Sequence, residues 1–114
     1  MLKARFEQSG SALTAVTVSG HAAYTEDSPE GMVLCAAVSS AMQLTCNTLT
    51  ECLKAEVEIT QAPAPGVQNL LAFRLTSPDS VQSALMQGLL IHLQALSEDY
   101  PKLLSVKVTQ VRRL

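Results

Sequence analysis

The chain predicts an α+β two-layer sandwich: a mainly antiparallel five-stranded sheet with two helices on one face, in the order ββαββαβ. Three observations carry this. Five segments alternate apolar and polar residues with a period of two, and two longer segments repeat apolar residues at helical spacing. Clusters of Gly, Pro and acidic residues separate them. Each strand has one apolar and one polar face, which suits helices that cover one side of the sheet only. With 114 residues, 47% of them hydrophobic, residues 1–114 form a single domain with ample apolar material for a core.

Residues 2–8 set Leu2, Ala4 and Phe6 against Lys3, Arg5 and Glu7, and 12–19 alternate again around Val16 and Val18. Ser9-Gly10-Ser11 joins the two as a hairpin turn. Residues 22–31 read as a loop. A helix follows over about 32–53, with Leu34, Ala37, Ala41, Leu44, Thr48 and Cys52 as the stripe expected to be buried. Ala55, Val57 and Ile59 alternate with Glu56 and Glu58 in a third strand. Ala62-Pro63-Ala64-Pro65-Gly66 turns, because neither proline suits a central strand. Val67, Leu71, Phe73 and Leu75 mark the fourth strand. Ser77 as cap and Pro78 in the first turn open a second helix that runs to about 99, where Pro101 follows. Residues 103–111 form the fifth strand. In the second helix Val81, Leu85, Leu89 and Leu96 make an apolar stripe that includes His92, read as a core or interface histidine. Met86, Leu90 and Ile91 lie outside it, and this extra apolar circumference fits burial against a partner subunit.

Eight Lys+Arg against ten Asp+Glu give a net charge of −2, so no direct nucleic-acid partner is expected, and Arg112-Arg113 is the one visible basic run. No uninterrupted run of 18 apolar residues exists, so no membrane partner is expected. The N-terminal residues alternate in polarity, unlike a signal peptide. Three cysteines make a disulfide framework improbable and point to a reducing, cytoplasmic compartment. Cys46 and Cys52 have no zinc-type spacing with His21 or His92, so no metal or other cofactor is expected and both thiols read as packing residues.

His21 closes the second strand, and Cys35 follows 14 residues later, in the first turn of the first helix. A thiolate at a helix N-terminus meets unpaired N–H groups and the positive end of the helix dipole, both of which favour the nucleophilic form. A nearby imidazole can take the thiol proton and return it to a leaving amine. First-turn N–H groups can receive an oxyanion. Cys35 shares the flank of the helix with Ser39, Met42 and Cys46. The plainer readings are a small buried thiol and a surface histidine at a strand end.

The wording of Ser19-Gly20-His21-Ala22 and Val33-Leu34-Cys35-Ala36-Ala37-Val38-Ser39 resembles the ribosomal-processing cysteine protease (Prp) family, whose signature is a Gly-His-Ala strand end and a helix opening on Val-Cys-Ala-Ala/Gly-x-Ser. Chain length and element order agree with it. The resemblance implies a small homodimeric bacterial endopeptidase of the cytoplasm. Its substrate would be the precursor of large-subunit ribosomal protein number twenty-seven, from which it removes an N-terminal extension. On that footing Cys35 is the nucleophile, His21 the general base and then acid, and Gly20 and Ser39 shape the site. The sequence departs from the family in the loop: Met32 stands where an Asp is usual and Glu30 where a Gly is usual, and the His-to-Cys spacing is about two residues longer. Asp27 or Glu30 can supply the acidic group, and with Glu26 can attract a basic substrate. The other reading is a non-catalytic ribosome-associated or peptide-binding module of the same fold. A thiol redox sensor lacks a resolving cysteine close to Cys35. Residues 22–31 are expected to form a flap that orders over substrate.

Overall fold

A computed structural model describes residues 1–20, 29–61 and 71–111. β1 (Leu2–Ser9) and β2 (Ala12–Gly20) form the expected hairpin, closed by a two-residue loop in which Gly10 has φ 63. That left-handed value suits a residue without Cβ. The later strands are β3 (Val57–Gln61), β4 (Leu71–Leu75) and β5 (Leu104–Gln110). Their order across the sheet is β3-β4-β2-β1-β5. Three of the pairings are antiparallel, and β1 with β5 is parallel. Alternation holds through the register: Phe6, Val16 and Phe73 stand side by side on the buried face. Lys3, Arg5, Thr17 and Lys107 occupy the other face.

The helices are α1 (Pro29–Asn47), continued by a wider π turn over Thr48–Cys52, and α2 (Ser80–Asp99). α1 begins three residues earlier than expected, because Pro29 and Glu30 suit a helix start, where an N–H lacks a partner and an acid meets the dipole. The cap of α2 is Asp79, not Ser77: its carboxylate accepts a 2.8 Å hydrogen bond from the Gln82 N–H. The expected strand start at 55 moves to Val57, and the expected start of the fourth strand at 67 lies outside the described residues, which omit 62–70.

One core joins the sheet and both helices. Leu34, Val38, Met42, Thr45 and Leu49 of the first helical segment are buried, whereas Leu44 is 70% exposed and Cys52 is exposed. The sheet therefore covers an arc roughly 100° round the helix from the expected stripe. Both arcs are apolar, and local periodicity cannot choose between them. The same correction applies to α2. Met86, Leu89, Leu90 and Leu93 are buried, while Val81, Ile91 and His92 are exposed. Cys52 is thus not a packing residue, and His92 is not in the core of this subunit.

Residues 31–50 contain no Asp, Glu, Lys or Arg, and 80–97 contain none either. This makes Pro29–Cys52 long and apolar enough to cross a membrane by length and composition, although the run is interrupted by Ser, Gln, Thr and Asn. Here it packs its Leu34–Leu49 stripe into the common core. Its Ala37, Ala41 and Leu44 face Leu85, Gly88 and His92 of α2 across an open groove of about 540 Å³.

Candidate active site

One end of the sheet gathers the strand ends that frame the candidate site. Gly20 pairs with Leu2, Leu2 with Leu104, and Leu71 with both Val18 and Gln61. β2 and β3 end here, and β4 begins here. That convergence has no signature in the sequence, because it depends on β4 pairing with β2 as well as with β3.

Gly20 has a structural reason to be glycine. Its φ is 94, and a Cβ there would lie 2.3 Å from the Met1 carbonyl oxygen. β2 thus ends on a left-handed residue pressed against the start of β1. His21 and Asp27 lie outside the described residues, as does the expected flap except for residues 29–31, which form the first turn of α1.

Cys35 is half-buried on the flank of α1, packed against the edge of the core beside the buried Leu34 and Val38. On a helical wheel this flank is on the far side of the buried stripe from the α1–α2 groove. Ser39 is exposed one turn further along the same flank, and Glu30 is exposed in the first turn. Cys35 is the seventh residue of α1, so the expected first-turn placement is corrected to the second turn. The free amides of a helix belong to its first four residues, so the Cys35 amide lies inside the helical ladder. Oxyanion donors of this helix therefore have to come from the turn before Cys35.

The other two thiols differ from it and from each other. Cys46 is buried, and burial raises its pKa by disfavouring the thiolate. Its contribution to stability is full below the ordinary thiol range and is lost as pH rises through the raised value. Cys52 is exposed in the π turn, where Thr48 and Thr50 hydroxyls donate to the carbonyls of Leu44 and Cys46. Among the described residues no three His, Cys, Asp or Glu side chains gather to hold a metal ion.

Fold and thiol placement define an α+β two-layer protein with a cysteine on the flank of its first helix and a glycine-terminated strand leading into a histidine. The sequence profile of the family described as cysteine protease Prp matches residues 1–105, and the chain belongs to that family. Solved structures share the fold. SMU.848 from Streptococcus mutans matches with a TM-score of 0.85 at 22% identity, over 97% of this chain and 96% of that one. An essential ribosomal processing protease Prp from S. aureus, in complex with a covalently linked product peptide, matches at 0.82 and 18% identity over 96% of this chain and all (100%) of that one. The same S. aureus protease with a substrate peptide matches at 0.81 and 16% identity over 96% and 100%. No curated protein matches the chain.

Proposed function

We propose that this cysteine protease removes an N-terminal extension from a ribosomal protein precursor, with Cys35 as nucleophile and His21 as general base and acid. The observation that carries this is the family match over residues 1–105, which takes in both the Gly20-His21-Ala22 strand end and the Cys35–Ser39 helix segment. The S. aureus relatives, one with a covalently linked product peptide, support the same reading. The precursor of large-subunit ribosomal protein number twenty-seven is the substrate to test first.

In this mechanism His21 takes the Cys35 proton and the sulfur attacks the scissile carbonyl carbon. The tetrahedral intermediate collapses, the C–N bond breaks, and His21 returns the proton to the departing amine. A thioester remains on Cys35. Water, deprotonated by His21, attacks that carbonyl and releases the acid product and the free thiol. Gly20 ends β2 immediately before His21. Glu30 in the first turn of α1 and Ser39 one turn beyond Cys35, with Asp27 from the segment before the helix, contribute to the site's shape and charge.

The enzyme works as a homodimer in the bacterial cytoplasm. Support for the dimer comes from the helical layer, whose outer surface carries exposed Leu44 and Ile91 and no charged residue over 31–50 and 80–97. Support for the compartment comes from three free thiols.

The test is incubation with a peptide spanning the extension junction, followed by mass spectrometry. One cleaved bond is expected with the unaltered enzyme and none with Cys35→Ala, while Cys46→Ala retains cleavage. Iodoacetamide should label Cys35 faster than buried Cys46, and His21→Ala should slow the labelling of Cys35. Cleavage by Cys35→Ala at the normal rate would remove the assignment. Absent cleavage together with an inert Cys35 would favour the non-catalytic peptide-binding module, a reading to which the second-turn position of Cys35 gives some weight.

A further inference from the structure

We propose that the open face of the sheet, where β1 and β5 lie side by side, is a docking surface for the phosphate backbone of duplex RNA. The parallel register places Arg5 directly beside Lys107 and Lys3 beside Ser105. Lys3, Arg5 and Lys107 are all exposed and all point away from the core, since Leu2, Ala4 and Phe6 between them are buried. Among the described residues none of the three enters an ion pair or a side-chain hydrogen bond.

Like charges directly opposite each other on neighbouring strands are destabilising, so the juxtaposition of Arg5 and Lys107 needs a counter-charge. The described residues do not supply one from the same face. Glu7, the next outward residue along β1, is already held by Arg74 on β4. Glu58 of β3 stands in register with that same arginine. Among the described residues the face therefore carries four cations against two carboxylates, and the excess lies on the β1-β5 half, where Lys3, Arg5 and Lys107 have no partner. Net charge conceals this, because the rest of the chain is acidic enough to bring the total to −2. A sequence scan conceals it as well, because the cations come from opposite ends of the chain and meet only through the β1–β5 pairing.

The shape and chemistry of the face select the polyanion. Its neighbours are hydroxyls, the half-buried Thr17, Ser19 and Ser105 and the exposed Thr109, and among the described residues it carries no aromatic ring: Phe6 and Phe73 are on the buried side. Single-stranded nucleic acids are held chiefly by bases stacked on aromatic side chains, which this face cannot provide. The minor groove of B-DNA is narrow, about 6 Å, and a sheet face meets it only by widening and bending the duplex. Duplex RNA presents a wide, shallow minor groove lined by 2′-hydroxyls and flanked by phosphates, which a flat surface of cations and hydroxyls can meet.

The experiment is fluorescence anisotropy of a labelled RNA duplex of about 20 base pairs, titrated with the whole protein over about 50–200 mM salt. Three phosphates neutralised at about 0.9 counterions each give an expected slope of log K against log salt near −2.7. The triple variant Lys3→Gln/Arg5→Gln/Lys107→Gln should lose at least about tenfold in affinity at the lowest salt, while Arg5→Lys keeps the affinity because a phosphate contact of this kind asks only for charge. A thermal midpoint for the triple variant equal to or above that of the unaltered protein shows that it is folded. The proposal is overturned if the triple variant binds as tightly as the parent, or if a DNA duplex or a single-stranded RNA of the same length binds as well. It is also overturned if vesicles containing phosphatidylserine bind where the RNA duplex does not.

Discussion

The outer surface of the helical layer and the open face of the sheet lie on opposite sides of one core and treat charge in opposite ways. The helices place none of their 31–50 or 80–97 residues in the Asp, Glu, Lys, Arg set, while the sheet face carries Lys3, Arg5, Glu7, Glu58, Arg74 and Lys107. A strand has only two faces, so every residue not needed in the core must face water, and the alternation delivers charge there. A helix has a full circumference. Here the arc turned to the sheet is apolar, and so is the next arc, the one that lines the groove with Ala37, Ala41 and Leu44. The difference teaches that the sheet face is built for solvent and polar partners, whereas the helical face is built for burial.

The comparison breaks most readily at Leu44. Leu44→Glu leaves the core untouched but places a carboxylate in a surface proposed to close against a second copy. Leaving a charge buried and unpaired costs about 3 kcal/mol or more, so self-association should weaken at least ~100-fold in analytical ultracentrifugation. Thr109→Glu on the sheet face should leave the assembly unchanged. A Leu44→Glu protein that sediments as the parent does would show that the helical face has no such role.

Gly88 sharpens the same point with a smaller effect. An added methyl there meets nothing within 4 Å beyond its chain neighbours and the backbone of its own helix, and glycine in a helix interior is less favourable than alanine by about 0.5–1 kcal/mol. Gly88→Ala should therefore raise the unfolding free energy of the isolated subunit by that amount in urea denaturation, while loosening self-association by partly filling the groove. A gain in stability with no change in association would place the dimer contact elsewhere on the helical layer.

The smallest effect is on the sheet. Glu7 and Arg74 pair across Ala15, which stands between them in register and is buried beneath them. The side chains remain 29% and 50% exposed, so Glu7→Gln should cost about 0.2–1 kcal/mol, and less in high salt. The same substitution adds to the positive character of the face, so RNA affinity should rise slightly if the basic half of the sheet is a docking surface. A fall in affinity would count against that reading of the face.

The element order, the hairpin, the half-buried strands and the apolar identity of both helices were legible in the amino-acid sequence alone, because periods of two and of 3.6 are written locally in Leu2–Glu7, Leu71–Leu75 and their counterparts. So was the family membership that the Gly20-His21-Ala22 and Cys35–Ser39 motifs implied. The tertiary structure decided which apolar arc of each helix is core, selecting Val38 and Met42 over Ala41 and Leu44. It also decided that Cys46 is buried while Cys52 is not, that Cys35 falls in the second turn, and that Lys3, Arg5 and Lys107 share one surface. The physical reason is the same in each case: periodicity reports that a face is apolar or a residue outward, but only the packing of distant strands and helices determines what that face meets.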